Sequence, residues 1–136
     1  MALKTGSGTT VTFGTAGFTA KYTRIGGAEL SRESIETTDL SVAPAAAATE
    51  GVYKTFVPDV LIDGGEFSCE FYWDPAATGE PPIEKLAAES ITITYESGAT
   101  MSGSGFVTSY TSPEAEAGSL LSAEFTIKWA GTVSFT

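Results

Sequence analysis

The sequence predicts a mainly β fold, an antiparallel β-sandwich or barrel with one short flanking α-helix. Three observations carry this. Segments of alternating apolar and polar residues recur along the chain, as strands with one buried face require. Between them stand clusters of Gly, Ser, Thr, Pro and Asp, which punctuate strands rather than helices. Only one stretch has helical spacing of apolar residues. At 136 residues the chain is the length of one domain, since domains cluster at about 100–150 residues. We therefore read residues 1–136 as a single domain. Eight Phe, five Tyr and two Trp supply a core.

Taken in order, Thr9–Phe13 and Phe18–Ile25 read as strands, and Gly26-Gly27 ends the second. Residues 28–36 (AELSRESIE) alternate less cleanly. Leu30, Arg32 and Ser34 share one side, and Glu29, Ser31, Glu33 and Ile35 the other. Polar residues on both faces suit a strand with protein on one side and a wet space or another subunit on the other. From Thr38 to Gly51 no period is sustained, and Pro44 precedes four alanines. Loops longer than about 12 residues are uncommon in compact domains and are usually functional or disordered. The segment 39–52 is therefore either a surface excursion or a piece ordered by a partner.

Asp63-Gly64-Gly65 is a strong turn signal, and Glu66–Trp73 (EFSCEFYW) follows with a nearly perfect period of two. Phe67, Cys69, Phe71 and Trp73 face the core, whereas Glu66, Ser68, Glu70 and Tyr72 face away. Pro81 to Glu89 holds the predicted helix, with prolines at its start and an Ile83, Leu86, Ala87 stripe. Ile91, Ile93 and Tyr95 alternate in a strand that Ser97-Gly98 ends. Thr100–Thr111 and Ser119–Trp129 form a long pair, the second with Leu121, Ala123, Phe125, Ile127 and Trp129 inward. A separate short strand closes the chain from Gly131.

Composition removes most catalytic chemistry. With no His and one Cys, a His-dependent triad, a His/Cys zinc site and an internal disulfide are excluded. Seventeen acids against seven bases give a net charge of −10, which opposes a sequence-independent grip on phosphate backbones. Carboxylate pairs such as Asp59 with Asp63 or Glu114 with Glu116 arise by chance at this acid content. Asp59–Gly64 lacks the ligand density of a calcium loop. Gly6-Ser7-Gly8 and Gly103-Ser104-Gly105 lack the Lys and helix of a phosphate loop. No window approaches the roughly 18 apolar residues of a membrane span, and the N-terminus shows no export pattern. Cys69, between Phe67 and Phe71, reads as a core thiol. We expect no enzyme, cofactor, metal site or membrane association.

Four segments, in order, resemble the major tail tube protein of long, non-contractile-tailed bacteriophages and of gene transfer particles. Arg32-Glu33-Ser34-Ile35-Glu36-Thr37-Thr38-Asp39-Leu40 resembles that family's E-x-I-x-x-T-x-L strand end. Tyr53-Lys54-Thr55-Phe56-Val57-Pro58, followed by Leu61-Ile62-Asp63-Gly64-Gly65-Glu66-Phe67-Ser68, is similar to its P-G-L-x-D-G-G-x-x-S step, except that Asp59-Val60 replaces the Gly. Gly105-Phe106-Val107-Thr108-Ser109-Tyr110 resembles its G-x-F-V-T-S strand, and Phe125–Gly131 its last long strand.

The resemblance implies a structural virion protein, made in the bacterial cytoplasm and located in the tail. Six copies would form a ring, and rings would stack into a tube bounded by tape measure, tail terminator and distal tail proteins. DNA would pass through the lumen without specific binding. The loop at 39–52 would touch other subunits or rings through Asp39, Leu40, Val42, Pro44, Ala46, Thr49, Glu50 and Val52. Acids on the lumen wall would repel phosphates. The candidates are Glu29, Ser31 and Glu33 in one strand and Glu66, Ser68 and Glu70 in another; an ordinary solvated outer face is the competing reading of each. A single-ring connector or terminator, or a monomeric binding or adhesion sandwich, would share the same sequence features.

Overall fold

The structure, a computed structural model, describes residues 5–14, 18–38, 53–74 and 81–136. Within them are eight strands: β1 (Thr10–Phe13), β2 (Lys21–Ile25), β3 (Ser31–Glu36), β4 (Phe56–Asp63), β5 (Glu66–Tyr72), β6 (Glu89–Thr94), β7 (Thr100–Thr111) and β8 (Ser122–Phe135). All pair antiparallel, in two groups. Six form one sheet in the order β1-β6-β7-β8-β5-β2, and β3 pairs with β4 alone. The chain correspondingly divides into two compact units, Leu30–Asp63 and the remainder on either side of it.

In the six-stranded unit, alternation decides what is buried. Phe67, Cys69 and Phe71 of β5 face inward beside Ala123, Phe125, Ile127 and Trp129 of β8. Ile91, Ile93, Val11 and Phe13 line the other half. The sheet curls until its two edge strands meet the same side chain. Phe13 of β1 lies 6.0 Å from the Phe125 ring and Tyr22 of β2 lies 6.3 Å from it, with Phe18 edge-on at 5.8 Å between them. Such a sheet is a nearly closed barrel rather than two flat layers. Each aromatic ring taken fully out of water contributes about 1.5–3 kcal/mol.

Two bulges bend the long pair that makes this curl possible. Ala130, Gly131 and Thr132 of β8 stand opposite the single residue Ser104 of β7, and Thr108 is an extra residue on β7. Bulges raise local twist and turn a strand through a corner. The sequence break expected at Gly131 is therefore a bulge inside one continuous strand. Gly103 is required here because a Cβ would sit 2.7 Å from the Thr132 carbonyl and 3.2 Å from the Trp129 ring.

The expected helix does not form. Residues 81–88 are turns and bends, held by Ile83 N–H donating to the Pro81 carbonyl at 2.8 Å. A nine-residue segment gains too little from its own hydrogen bonds to stay helical. It would need its stripe packed, yet Ile83 and Leu86 are exposed. The fold class stands without it. Segment 39–52, and with it the whole set of loop candidates, lies outside the described residues.

The second unit is a two-stranded ladder. Ser31 pairs with Asp63, Arg32 with Ile62, Ser34 with Pro58, Ile35 with Val57 and Glu36 with Phe56. Its far end is fastened by threonines. Thr37 N–H donates to the Thr55 carbonyl at 2.8 Å, and Thr55 N–H donates to Thr38 Oγ1 at 2.8 Å.

Candidate assembly surfaces

Among the described residues no three His, Cys, Asp or Glu side chains come together as a metal site, and no helix is long and apolar enough to cross a membrane. Cys69 is fully buried, and that burial pushes its thiol up to about 12. It is a core residue, inert as a nucleophile at neutral pH.

The β3–β4 ladder is the most unusual part of the surface. Every residue of β3 is exposed, and in β4 only Asp59 is partly covered. Apolar side chains stand in water: Val60 is 90% exposed, Leu61 74% and Ile62 62%, with Phe56, Val57 and Ile35 also open. A soluble monomer rarely leaves so contiguous an apolar group exposed without a binding purpose. Among the described residues neither strand pairs with a third, which leaves each an open outer edge of the kind that invites another chain to add.

The ladder's irregularity falls where the sequence departs from the tail-tube pattern. Asp59, Val60 and Leu61 stand opposite the single residue Glu33. The Asp59 carboxylate closes this bulge by accepting from Leu61 N–H at 3.1 Å. An aspartate that bonds a backbone amide two residues on supplies the turn that glycine would otherwise permit. One weak ion pair, Lys54 to Glu36 at 3.8 Å, lies on the exposed surface and contributes little.

The two sets of lumen candidates fall in different surroundings. Glu66, Ser68 and Glu70 lie on the outer face of the six-stranded sheet, as their alternation requires. There Glu66 is opposite Lys128, and Glu70 is opposite both Glu124 and Arg24. Arg24 also donates to Ser68 Oγ at 3.2 Å. This face is thus a checkerboard of both signs rather than an acidic wall. Ser31 and Glu33 lie on the ladder, sharing a face with Ile35, Val57 and Asp63, while Arg32 lies on the opposite face. Glu29 precedes β3, and its carbonyl crowds Gly65, which takes a φ of 78°. A Cβ at Gly65 would collide with that carbonyl, so this close approach needs glycine.

The sequence reading of candidates omitted the apolar ladder residues. The run Val60-Leu61-Ile62 is visible in the sequence, but nothing local says that it stays in water.

No protein-family model matches this chain, and no curated protein sequence matches it. Solved structures do. A chain of the extracellular contractile injection system structure described as the PVC sheath/tube terminator in the extended state superposes with a TM-score of 0.72 at 17% identity, over 100% of this chain and 98% of that one. The chain shares the fold of tail-particle components. The PVC sheath-tube complex gives 0.66 at 20% identity over 94% of this chain and 87% of that one. The virion of the native gene transfer agent particle gives 0.64 at 15%, over 98% and 99%. The fold is therefore common to contractile injection systems and to a gene transfer agent, and does not by itself separate the two.

Proposed function

We propose that this chain is a structural tail-tube protein whose copies form hexameric rings that stack into a tube. The observation that carries the proposal is the exposed apolar β3–β4 ladder, in a chain whose fold matches tail components over nearly its whole length. A lone two-stranded ladder is marginal in water. Burying Val60, Leu61 and Ile62 against neighbouring copies stabilises it and removes its free edges. Sixfold order is supported by related particles, since the tail of the empty gene transfer agent particle was refined with C6 symmetry. In this reading the segment 39–52 makes contacts between subunits or rings, and DNA passes through the lumen. No catalytic step is involved.

A second reading, a terminator that stops at one ring, is favoured by the likeness to the PVC sheath/tube terminator structure. Negative-stain electron microscopy of the concentrated protein separates the two. Tubes are expected, and deletion of Ala43–Thr49 should leave rings that no longer stack. Single rings from the intact chain would assign it as a terminator. A protein that stays monomeric at all concentrations, even with tube seeds, would overturn both readings.

A further inference from the structure

The two faces of the β3–β4 ladder differ in character. Its register sets Arg32 with Ile62, Ser34 with Pro58 and Glu36 with Phe56 on one face. Ser31 with Asp63 and Ile35 with Val57, together with Glu33, take the other. That second face therefore holds the acids Glu33 and Asp63. The first face holds Phe56 and Ile62, 55% and 62% exposed, and Val60, 90% exposed, stands in the bulge between Pro58 and Ile62. Arg32 is its cation, and its acid, Glu36, lies 3.8 Å from Lys54. Domains cover the apolar face of a sheet with a second layer, commonly a helix. This face is a sheet without one.

The segment after Pro81 has the converse deficit. Pro81 is buried and β6 begins at Glu89, so the segment is anchored at both ends. Between those anchors Ile83, Leu86 and Ala87 are exposed. At 3.6 residues per turn these three would form one stripe, with Glu84 beside it and Lys85 on the far side. Pro81 and Pro82 stand where the first turn of a helix tolerates proline. The helical stripe lacks only a sheet to cover.

We propose that the apolar face of the ladder of one copy docks on residues 81–88 of a second copy, and that this docking folds the segment into a helix. Each surface supplies what the other lacks. Ile83, Leu86 and Ala87 cover Phe56, Val60 and Ile62, and that burial provides the stabilisation that so short a helix cannot draw from its own hydrogen bonds. Charge is complementary as well, because Arg32 on the ladder meets Glu84 beside the stripe. The contact also suits copies of a chain with a net charge of −10, since Glu33 and Asp63 lie on the ladder's opposite face. The inference rests on the tube reading for its neighbouring copy, and adds which surfaces meet and what folds when they do.

The test is disulfide cross-linking between two singly substituted full-length chains, one Val60→Cys and the other Ala87→Cys, mixed under a mild oxidant; Cys69 is fully buried. Only contact between copies can join them. The mixed pair is expected to form about tenfold faster than Val60→Cys with Ser134→Cys, an exposed control position. Adding Leu86→Ala to the Ala87→Cys chain should slow the reaction about tenfold by removing contact. Adding Ala88→Gly, which lies off the stripe, should slow it about fivefold through helix propensity alone. These positions are exposed, so the variants should keep the parent's unfolding midpoint. Mixed pairs no faster than the control, Val60–Val60 pairs in their place, or no effect of Ala88→Gly would each overturn the proposal. Tubes are scored in the same samples by negative stain. Tubes without the mixed cross-link overturn this docking and leave the tube role standing, whereas the cross-link without tubes keeps the docking and counts against the tube.

Discussion

Phe125 shows how much of this fold rests on single side chains. Its ring lies within 5.7–6.3 Å of Phe13, Phe18, Tyr22 and Phe71, which join both edges of the curled sheet to its centre. Truncation there removes burial and leaves a cavity that the surrounding rings cannot fill. Phe125→Ala is expected to cost about 3–5 kcal/mol in urea unfolding, a large share of the roughly 5–15 kcal/mol a domain has. Phe106→Ala, on the outer face, should cost far less. Cys69 gives a pH prediction. Burial raises its thiol from the ordinary 9.0 to about 12. Between those values the unfolded chain releases a proton that the folded chain keeps, so its contribution is complete below pH 9 and declines above it. Stability should therefore fall by about 1.4 kcal/mol per pH unit from this group. Cys69→Ala should flatten that limb of a denaturation series between pH 9 and 11. A slope unchanged by the substitution would assign the alkaline loss to other groups, among them Tyr22, whose hydroxyl burial also pushes upward.

At the scale of elements, the sequence was most informative where a strand has one dry face. The inward residues of β5 and β8 follow from alternation alone, and the structure buries Phe67, Cys69, Phe71, Phe125, Ile127 and Trp129 as that pattern requires. It was least informative where a local pattern needs a distant partner. The residues after Pro81 have helical spacing, but a stripe stabilises a helix only when something covers it. Gly131 reads as a break, yet β7 pairs across it and absorbs the irregularity as a bulge. The β3–β4 ladder depends on its own bulge for register. Asp59→Ala removes the acceptor of Leu61 N–H, and is expected to weaken the ladder by about 0.5–1.5 kcal/mol. Amide hydrogen exchange reads this directly. Leu61 and its β3 neighbours should exchange faster while β5 and β8 amides are unchanged. Equal protection throughout would show that the carboxylate is dispensable.

For the whole molecule, the question is where the charge of −10 lies. On the outer face of β5 the acids Glu66, Glu70 and Glu124 are interspersed with Lys128 and Arg24, whereas Ser31 and Glu33 share the face of the ladder that includes Asp63. If that face lines a lumen, Glu33→Lys should slow DNA release from assembled particles, and Glu66→Lys should leave it nearly unchanged. Release kinetics monitored by dye accessibility of the DNA would decide between them. Slowing by Glu66→Lys alone would move the lumen to the six-stranded sheet. Such an effect acts through unbound, like-charged surfaces, so added salt should reduce it.

The sequence by itself determined the fold class, the identity of the core strands and the absence of His-based chemistry, because period, composition and turn residues act over neighbouring positions. Tertiary structure alone decided that the sheet curls into one nearly closed barrel, that the predicted helix lacks a surface to pack on, and which acids stand opposite cations. Each of these depends on residues far apart in sequence meeting across strands. Register, bulges and burial are properties of that meeting rather than of any one segment.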